Sequence, residues 1–354
     1  MRRFTCQCGN TLYFENTQCL ECGATLGFVP EDRRVRALEP AGQDLWMVDG
    51  RYYRKCLHYA RDGVCNWMMP AEDGHSFCQA CRLNEVIPDL TQPDNFRHWG
   101  LLESAKRTLL FGLMRLDLPL TSRREHPGGL GFAFMEDDDN QQVLTGHAGG
   151  LITINVREAD DAYREAMRKR LGEPYRTLLG HFRHESGHFY WEHLVAAHAD
   201  ELDAFRALFG DEREDYASAL ARHYSASFIP WPHDVITAYA AAHPWEDWAE
   251  TWAHYLLIND TLETAEDLGI QTEAPQDFDG MLAQWRKLST TINALGGSLG
   301  MPSLYPFVFS EAVAAKLRFI HALLERQVPS ATRPATTAPS DAPSRTAANP
   351  RKPV

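Results

Sequence analysis

The 354-residue sequence lacks a long apolar segment. No stretch reaches the roughly 18 apolar residues that a membrane helix needs, so we expect no membrane partner. A signal peptide is not expected either, because Cys6 and Cys8 stand where its apolar core would lie. We therefore expect a cytoplasmic protein, in which paired cysteines are more often metal ligands than disulfides.

Positive charge is also in short supply. The sequence has 35 lysines and arginines against 48 aspartates and glutamates, a formal net charge of -13. Proteins that bind nucleic acid present a basic surface, so we expect no nucleic-acid partner. Residues 328–354 lack apolar periodicity and are mostly Pro, Ala, Thr, Ser and Arg. We predict that this tail is disordered, because it cannot bury enough surface to offset the entropy of ordering.

The eight cysteines all lie within residues 1–92. A C-x-C pair and a C-x-x-C pair over 1–28 can place four thiolates around one tetrahedral zinc, as in a zinc ribbon. A second module, 50–92, holds four more, and its looser spacing leaves room for His58 or His75 in place of a cysteine. The alternatives are disulfides in the first module and redox chemistry at the C-x-x-C pair of the second. We predict two structural zinc sites, with the ligand sets Cys6, Cys8, Cys19, Cys22 and Cys56, Cys65, Cys78, Cys81.

The remaining sequence predicts a helix-rich domain over 96–327. An apolar stripe at steps of three and four predicts a helix over Phe96–Asp117. Two strands are predicted at Gly131–Met135 and Leu151–Val156. A helix follows over Tyr175–Ala197, and further helices are predicted at 200–222, 232–242, 245–258 and 311–327. This order of helices and strands is typical of an α+β fold.

His184, Glu185 and His188 form an H-E-x-x-H motif inside a predicted helix. Residues four apart share a helix face, so both histidines can bind one zinc while Glu185 lies beside the metal. Zinc lowers the pKa of a bound water from about 15.7 to about 7. Glu185 can then act as general base and pass the proton to a leaving amine. The motif predicts a hydrolytic zinc centre.

A third ligand does not come from the extended motif H-E-x-x-H-x-x-G-x-x-H, because the chain has Trp191 in place of its glycine and Leu194 in place of its last histidine. The other common solution is a glutamate from a later helix. Glu246 and Glu250 lie one turn apart on one face of the predicted helix 245–258. Two aligned carboxylates on so apolar a helix are costly to bury unless a cation meets them. The residues alone leave open which of the two binds zinc.

Tyr239, Glu246 and Glu250 resemble the Y-x6-E-x-x-A-E arrangement of gluzincin metallopeptidases of the anthrax lethal factor kind. The resemblance implies that Glu246 binds zinc, that Glu250 orients a zinc-binding histidine, most simply His184, and that Tyr239 stabilises the oxyanion. Exchanged roles for the two glutamates stay open, as does His243 in place of Tyr239. Other histidines are interpreted as structural: His181, His223, His233 and His254.

The chain from Cys6 to about Leu324 is similar to bacterial zinc-binding metallopeptidases with an N-terminal zinc ribbon. The similarity includes residues 77–84 and 243–255, and it implies a zincin-like domain preceded by small four-cysteine modules. We therefore expect a zinc metallopeptidase with one catalytic and two structural zinc ions, acting on a peptide or protein. Leu151–Val156 is the strand expected to pair with substrate. The alternatives are an inactive peptidase-like protein acting as a zinc-ribbon interaction module, and hydrolysis of a non-peptide amide.

Overall fold

The computed structural model describes residues 2–137, 142–225, 232–271 and 274–327, so the predicted tail lies outside the described residues. The N-terminal segment is made of short strands, because its chain turns repeatedly around the cysteine pairs. Its elements are β1 (Phe4–Thr5), β2 (Thr11–Leu12), β3 (Leu26–Val29), β4 (Arg34–Ala37), β5 (Glu39–Pro40), β6 (Trp46–Val48), β7 (Arg51–Lys55), β8 (Met68–Pro70), α1 (Gln79–Arg82) and β9 (Asn84–Val86).

The larger, C-terminal part is mainly helical, and the predicted α+β class is confirmed. No helix among the described residues is long and apolar enough to cross a membrane. The elements are α2 (Asn95–Arg115), β10 (Gly131–Met135), β11 (Gly146–Ala148), β12 (Leu151–Asn155), α3 (Asp161–Leu171), α4 (Leu178–Trp191), α5 (Ala199–Phe209), α6 (Tyr216–Ser225), α7 (Pro244–Asp267), α8 (Phe278–Ser298) and α9 (Glu311–Gln327).

One sheet joins the two parts of the chain. Its strand order is β11-β12-β10-β9, with β10 parallel to both β12 and β9, and β11 antiparallel to β12. Strand β9 lies within the second cysteine module, 50–92, shortly after Cys81, so that module contributes a strand to the sheet of the large domain. Strand β12 was expected at the open edge, but it lies between β10 and β11. The edge nearest the H-E-x-x-H helix is β11, which contacts α4.

Helix α2 anchors the cysteine modules to the large domain. The ring of Phe111 stacks on Phe14 at 4.8 Å and meets Phe28 edge-on at 5.6 Å. Buried Arg107 donates to the carboxylate of Glu15 and to the carbonyl oxygen of Val64. Aromatic burial supplies most of the stabilisation here, and the buried guanidinium requires these acceptors because an unpaired buried charge is very costly.

Two of the predicted helices form differently in the structure, and α3 and α8 lie where no helix was predicted. The helix predicted over 200–222 is two helices, α5 and α6, because Gly210 adopts φ 103° and ends α5. Of the helix predicted over 232–242, only a 3-10 turn forms, Tyr239–Ala242. The residue before a proline is disfavoured in the helical region, and His243, before Pro244, is extended at φ -162°. The chain therefore restarts as a new helix at Pro244.

Candidate metal centre

Helix α4 carries the H-E-x-x-H motif and packs against α7 at a glycine. Thr177 caps α4 by accepting a hydrogen bond from the backbone N of Gly180. A Cβ on Gly187 would lie 3.0 Å from the Cα of Ala249 on α7, so only glycine permits this close approach. The indole of Trp248 donates to the Gly187 carbonyl oxygen at 2.8 Å. This contact fixes the two helices face to face at the motif.

Helix α7 begins at the point where it meets the two motif histidines. Pro244 occupies its first turn, and the side chain of His243 accepts a hydrogen bond from the backbone N of Trp245. His243 also contacts the Glu214 carbonyl oxygen through Nε2. His243 is therefore a helix cap. Nothing in these contacts supports the alternative in which it replaces Tyr239 as the oxyanion donor. The cap sets the position of Glu246 in the first turn.

The structure brings His184, His188 and Glu246 together, with one candidate ligand atom from each within 4.8 Å of the others. Glu246 Oε2 lies 3.0 Å from His184 Nε2, and Oε1 lies 3.5 Å from His188 Nε2. Glu250 lies on the other side of His184, with Oε1 2.6 Å from Nδ1. The two carboxylates thus face opposite nitrogens of the same imidazole.

The donor set fits a divalent cation. Because Nδ1 of His184 donates to Glu250, the neutral ring presents a lone pair at Nε2, directly toward Glu246. Glu246 Oε2 is buried and has no hydrogen-bond partner. A lone pair and an anionic oxygen 3.0 Å apart repel unless a positive charge lies between them. Two imidazoles and a carboxylate are ligands that zinc accepts, with a further position left for water or substrate.

The pKa values of His184 and Glu246 also indicate that this site attracts positive charge. Burial opposes the charged form of His184, but the two adjacent carboxylates, Glu246 and Glu250, outweigh it and raise its pKa well above the usual value. Burial would also raise the pKa of Glu246, whereas the two imidazoles hold it well below its usual range. A bound cation would take the place of the proton that these groups attract.

Glu185 lies beside the candidate ligands and not among them. Its side chain is buried, and burial raises the pKa of its carboxyl although His184 and His188 act in the opposite direction. A carboxylate with a raised pKa takes up a proton more readily near neutral pH. This is the property that a general base beside a metal requires.

The two four-cysteine sets have the spacing of zinc sites. Sulfur atoms lie 3.7 Å apart in the pairs Cys6–Cys22 and Cys8–Cys19, and 3.8 Å apart in Cys65–Cys78. Four thiolates at about 2.3 Å from a tetrahedral zinc lie about 3.8 Å from each other. A disulfide requires about 2.05 Å, and the eight cysteines are free. The chain thus has two zinc-binding clusters of four cysteines.

Neither histidine considered as a substitute ligand belongs to the second cluster. The ring of His58 packs between Phe77 at 4.5 Å and Trp99 at 4.9 Å. His75 is exposed and contacts Asp73. The second cluster is completed by Cys56 and not by an imidazole, which rules out that alternative.

Comparison with known proteins places these sites in a family. Residues 95–323 match the family described as "Putative zinc-binding metallo-peptidase", and residues 3–92 match a zinc-ribbon domain. The chain belongs to this metallopeptidase family. Uncharacterized proteins of Mycobacterium tuberculosis and Mycobacterium bovis are each 38% identical over 343 residues, which covers 93% of this chain and 97% of theirs. No solved structure matches the metallopeptidase significantly.

The metallopeptidase site also contains tyrosines that sequence reasoning missed. Tyr239 was named in advance, and its ring lies 5.9 Å from that of His184. Tyr216, on α6, donates to Glu246 Oε1 at 2.7 Å. Tyr224, at the end of the same helix, lies within hydrogen-bonding reach of Tyr239. No spacing rule connects Tyr216 to Glu246, because the two residues lie 30 positions apart on different helices.

The other histidines have structural partners. His181 lies 3.4 Å from Glu158 through Nδ1, and His254 shares a hydrogen bond of 2.6 Å with the hydroxyl of Tyr305. The ring of His223 packs against Tyr239 at 5.8 Å. A further histidine near the site, His147 on β11, has its ring 6.3 Å from that of His188. Its position on a three-residue strand gave no sequence signal.

Proposed function

We propose that this metallopeptidase hydrolyses peptide bonds with one catalytic zinc, held by His184, His188 and Glu246, in addition to two structural zincs. The observation that carries the proposal is the buried carboxylate of Glu246, whose unpartnered Oε2 lies 3.0 Å from His184 Nε2 while Oε1 lies 3.5 Å from His188 Nε2. Glu250 is the partner that holds His184 in the correct tautomer. The exchanged assignment, with Glu250 on the metal, would place a ligand on the nitrogen that faces away from His188.

Zinc at this position would polarise the substrate carbonyl and increase the acidity of an attacking water. Glu185 takes the proton from that water, and its raised pKa lets the carboxyl hold the proton until the amine leaves. Tyr239 is the proposed donor to the carbonyl oxygen as it gains negative charge. Burial and the charge of Glu246 raise the pKa of Tyr239 well above its usual value, so the phenol keeps its proton and remains a donor.

Strand β11 replaces β12 as the proposed docking strand for the peptide. The two-residue turn Gly149–Gly150 has positive φ at both positions and joins β11 to β12. In an antiparallel ladder, hydrogen-bonded and non-hydrogen-bonded pairs alternate. If Ala148 and Leu151 form the bonded pair that closes the turn, His147 occupies a non-bonded pair, and its backbone N–H and C=O point outward. The ring of the same residue lies 6.3 Å from that of His188, so a substrate strand added at this edge would pass near the site.

The test of this function combines zinc counting with a peptidase assay. We expect three zincs per native chain and cleavage of members of an unbiased peptide library. Glu185→Gln should keep three zincs and lose about 10²- to 10⁴-fold in kcat. Glu165→Gln, which alters an exposed carboxylate on α3, is the matched control and should retain activity. Two zincs in the folded native protein, or full activity in Glu185→Gln, would contradict the proposal.

A further inference from the structure

We propose that Tyr216 is a positioning residue for Glu246, and that it holds the carboxylate so that a single oxygen, Oε2, faces the metal. This inference rests on the proposed catalytic zinc. It adds to that site a residue from α6, a helix that no motif connects to H-E-x-x-H.

The two oxygens of Glu246 have different surroundings. The hydroxyl of Tyr216 donates to Oε1 at 2.7 Å. Oε2 has no hydrogen-bond partner and lies 3.0 Å from His184 Nε2, whereas Oε1 lies 3.5 Å from His188 Nε2. Because the phenol occupies one lone pair of Oε1, this oxygen is the weaker ligand of the two for a cation. The arrangement therefore favours coordination through Oε2 alone and preserves an open position for water or substrate.

The ring of Tyr216 packs on the same turn that carries Glu246. It meets His243, the cap of α7, at 5.2 Å and Trp245 at 6.0 Å, both edge-on. Donor and acceptor are thus held by neighbouring contacts, which fixes the length of the hydrogen bond. Burial, together with the negative charge of Glu246, raises the pKa of Tyr216 above its usual value, so the hydroxyl remains a donor.

Helix α6 buries few of its own side chains. Within its described residues, Ala219 is the one buried side chain. Tyr216 is 38% exposed, so it is not a core residue whose ring alone justifies its position. The hydrogen bond to Glu246 gives this tyrosine a polar role that phenylalanine could not fill.

The experiment measures metal binding and not activity. Zinc affinity of the catalytic site is determined by chelator competition in the native protein, Tyr216→Phe, Tyr216→Leu and the control Ser218→Ala. The same proteins are then loaded with cobalt(II) at this site, whose visible absorption weakens when a fifth ligand atom binds. Ser218→Ala removes an exposed hydroxyl from the same helix, outside the site. Because Tyr216 is partly exposed, both of its replacements should fold, and two zincs in the cysteine clusters would verify this.

We expect Tyr216→Phe and Tyr216→Leu to weaken zinc binding about 10- to 100-fold, the usual effect of losing a partner that orients a ligand. Their cobalt spectra should shift toward five-coordination, and Ser218→Ala should match the native protein. A native zinc affinity and a native cobalt spectrum in both Tyr216 variants would overturn the inference. This holds even if kcat falls in these variants, because Tyr216 would then act on the substrate and not on Glu246. A native protein without a third zinc would overturn the proposed function itself, a separate outcome.

Discussion

Glu250 Oε1 lies 2.6 Å from Nδ1 of His184, on the opposite side of the ring from Glu246. One imidazole is thereby held between two carboxylates from successive turns of α7. The carboxylate on Nδ1 orients the ring, and the carboxylate near Nε2 shares with it the space for a cation. The two glutamates are one turn apart in sequence, but they lie on opposite sides of the His184 ring.

This difference predicts different effects of two isosteric substitutions on zinc binding. Glu246→Gln removes an anionic ligand, so the third zinc should be lost at stoichiometric metal. Glu250→Gln leaves the ligand set intact, and affinity should fall by about 10- to 100-fold while excess zinc still fills the site. Metal analysis after gel filtration, followed by chelator competition, distinguishes the two. A greater loss in Glu250→Gln than in Glu246→Gln would show that the roles are exchanged.

The two cysteine clusters should differ in reactivity. Cys8 and Cys22 of the first cluster are exposed, whereas the four cysteines of the second cluster are buried. Reagents that attack thiolates require access to sulfur, so an alkylating agent should modify the first cluster and release its zinc before the second. Timed alkylation with mass spectrometry and a zinc-sensitive dye measures the order. Modification of the second cluster first, or of both at one rate, would mean that exposure does not control zinc release.

The backbone of His147 is predicted to hold the substrate. His147→Pro removes the outward N–H from the edge of β11, and we expect KM for cleaved peptides to rise several-fold because a main-chain hydrogen bond contributes about 0.5–1.5 kcal/mol. His147→Ala, the matched control, removes the imidazole and keeps the N–H, so its KM should remain closer to the native value. Equal effects of the two substitutions would assign the role to the side chain, and no effect of either would exclude β11 as the docking strand.

The sequence predicted those features whose signal is local. The apolar stripe of α2 and the spacing of His184 and His188 depend on residues within one helix, and both were located correctly. The edge strand was wrongly assigned, because β11 is only Gly146–Ala148 and has no alternation to detect, whereas β12 has a β-branched run. Strand order in a sheet depends on contacts distant in sequence.

Tyr216 shows the same limit at the site. It lies 30 residues before Glu246, on a helix whose only buried side chain among the described residues is Ala219. Its hydrogen bond depends on how α6 lies relative to α7, which neither composition nor periodicity encodes. Side chains that touch a metal follow motif spacing because one helix presents them, but their supporting partners come from anywhere in the fold.

The last prediction concerns His254, a buried imidazole on α7 whose ring packs against Phe307 at 4.6 Å and bonds to Tyr305 at 2.6 Å. Burial lowers its pKa from 6.5 to about 4; Glu250 on the same helix acts to raise it, and Arg183 from α4 acts to lower it further. Between these two pH values the unfolded chain binds more protons at this position than the folded chain does. Stability from this residue is therefore complete above pH 6.5 and is lost as the pH falls toward 4.

From a pH of about 7 to about 5.5, this residue should remove about 1 kcal/mol from the free energy of unfolding. His254→Gln keeps a polar group for Tyr305 but cannot titrate, so its stability should fall by about 1 kcal/mol less than that of the native protein over the same interval. Urea unfolding at several pH values, with zinc in excess for both proteins, gives the two curves. Other titrating groups are common to both and cancel in the difference. Parallel curves would show that His254 does not remain neutral in the folded protein, and that its burial does not set its charge.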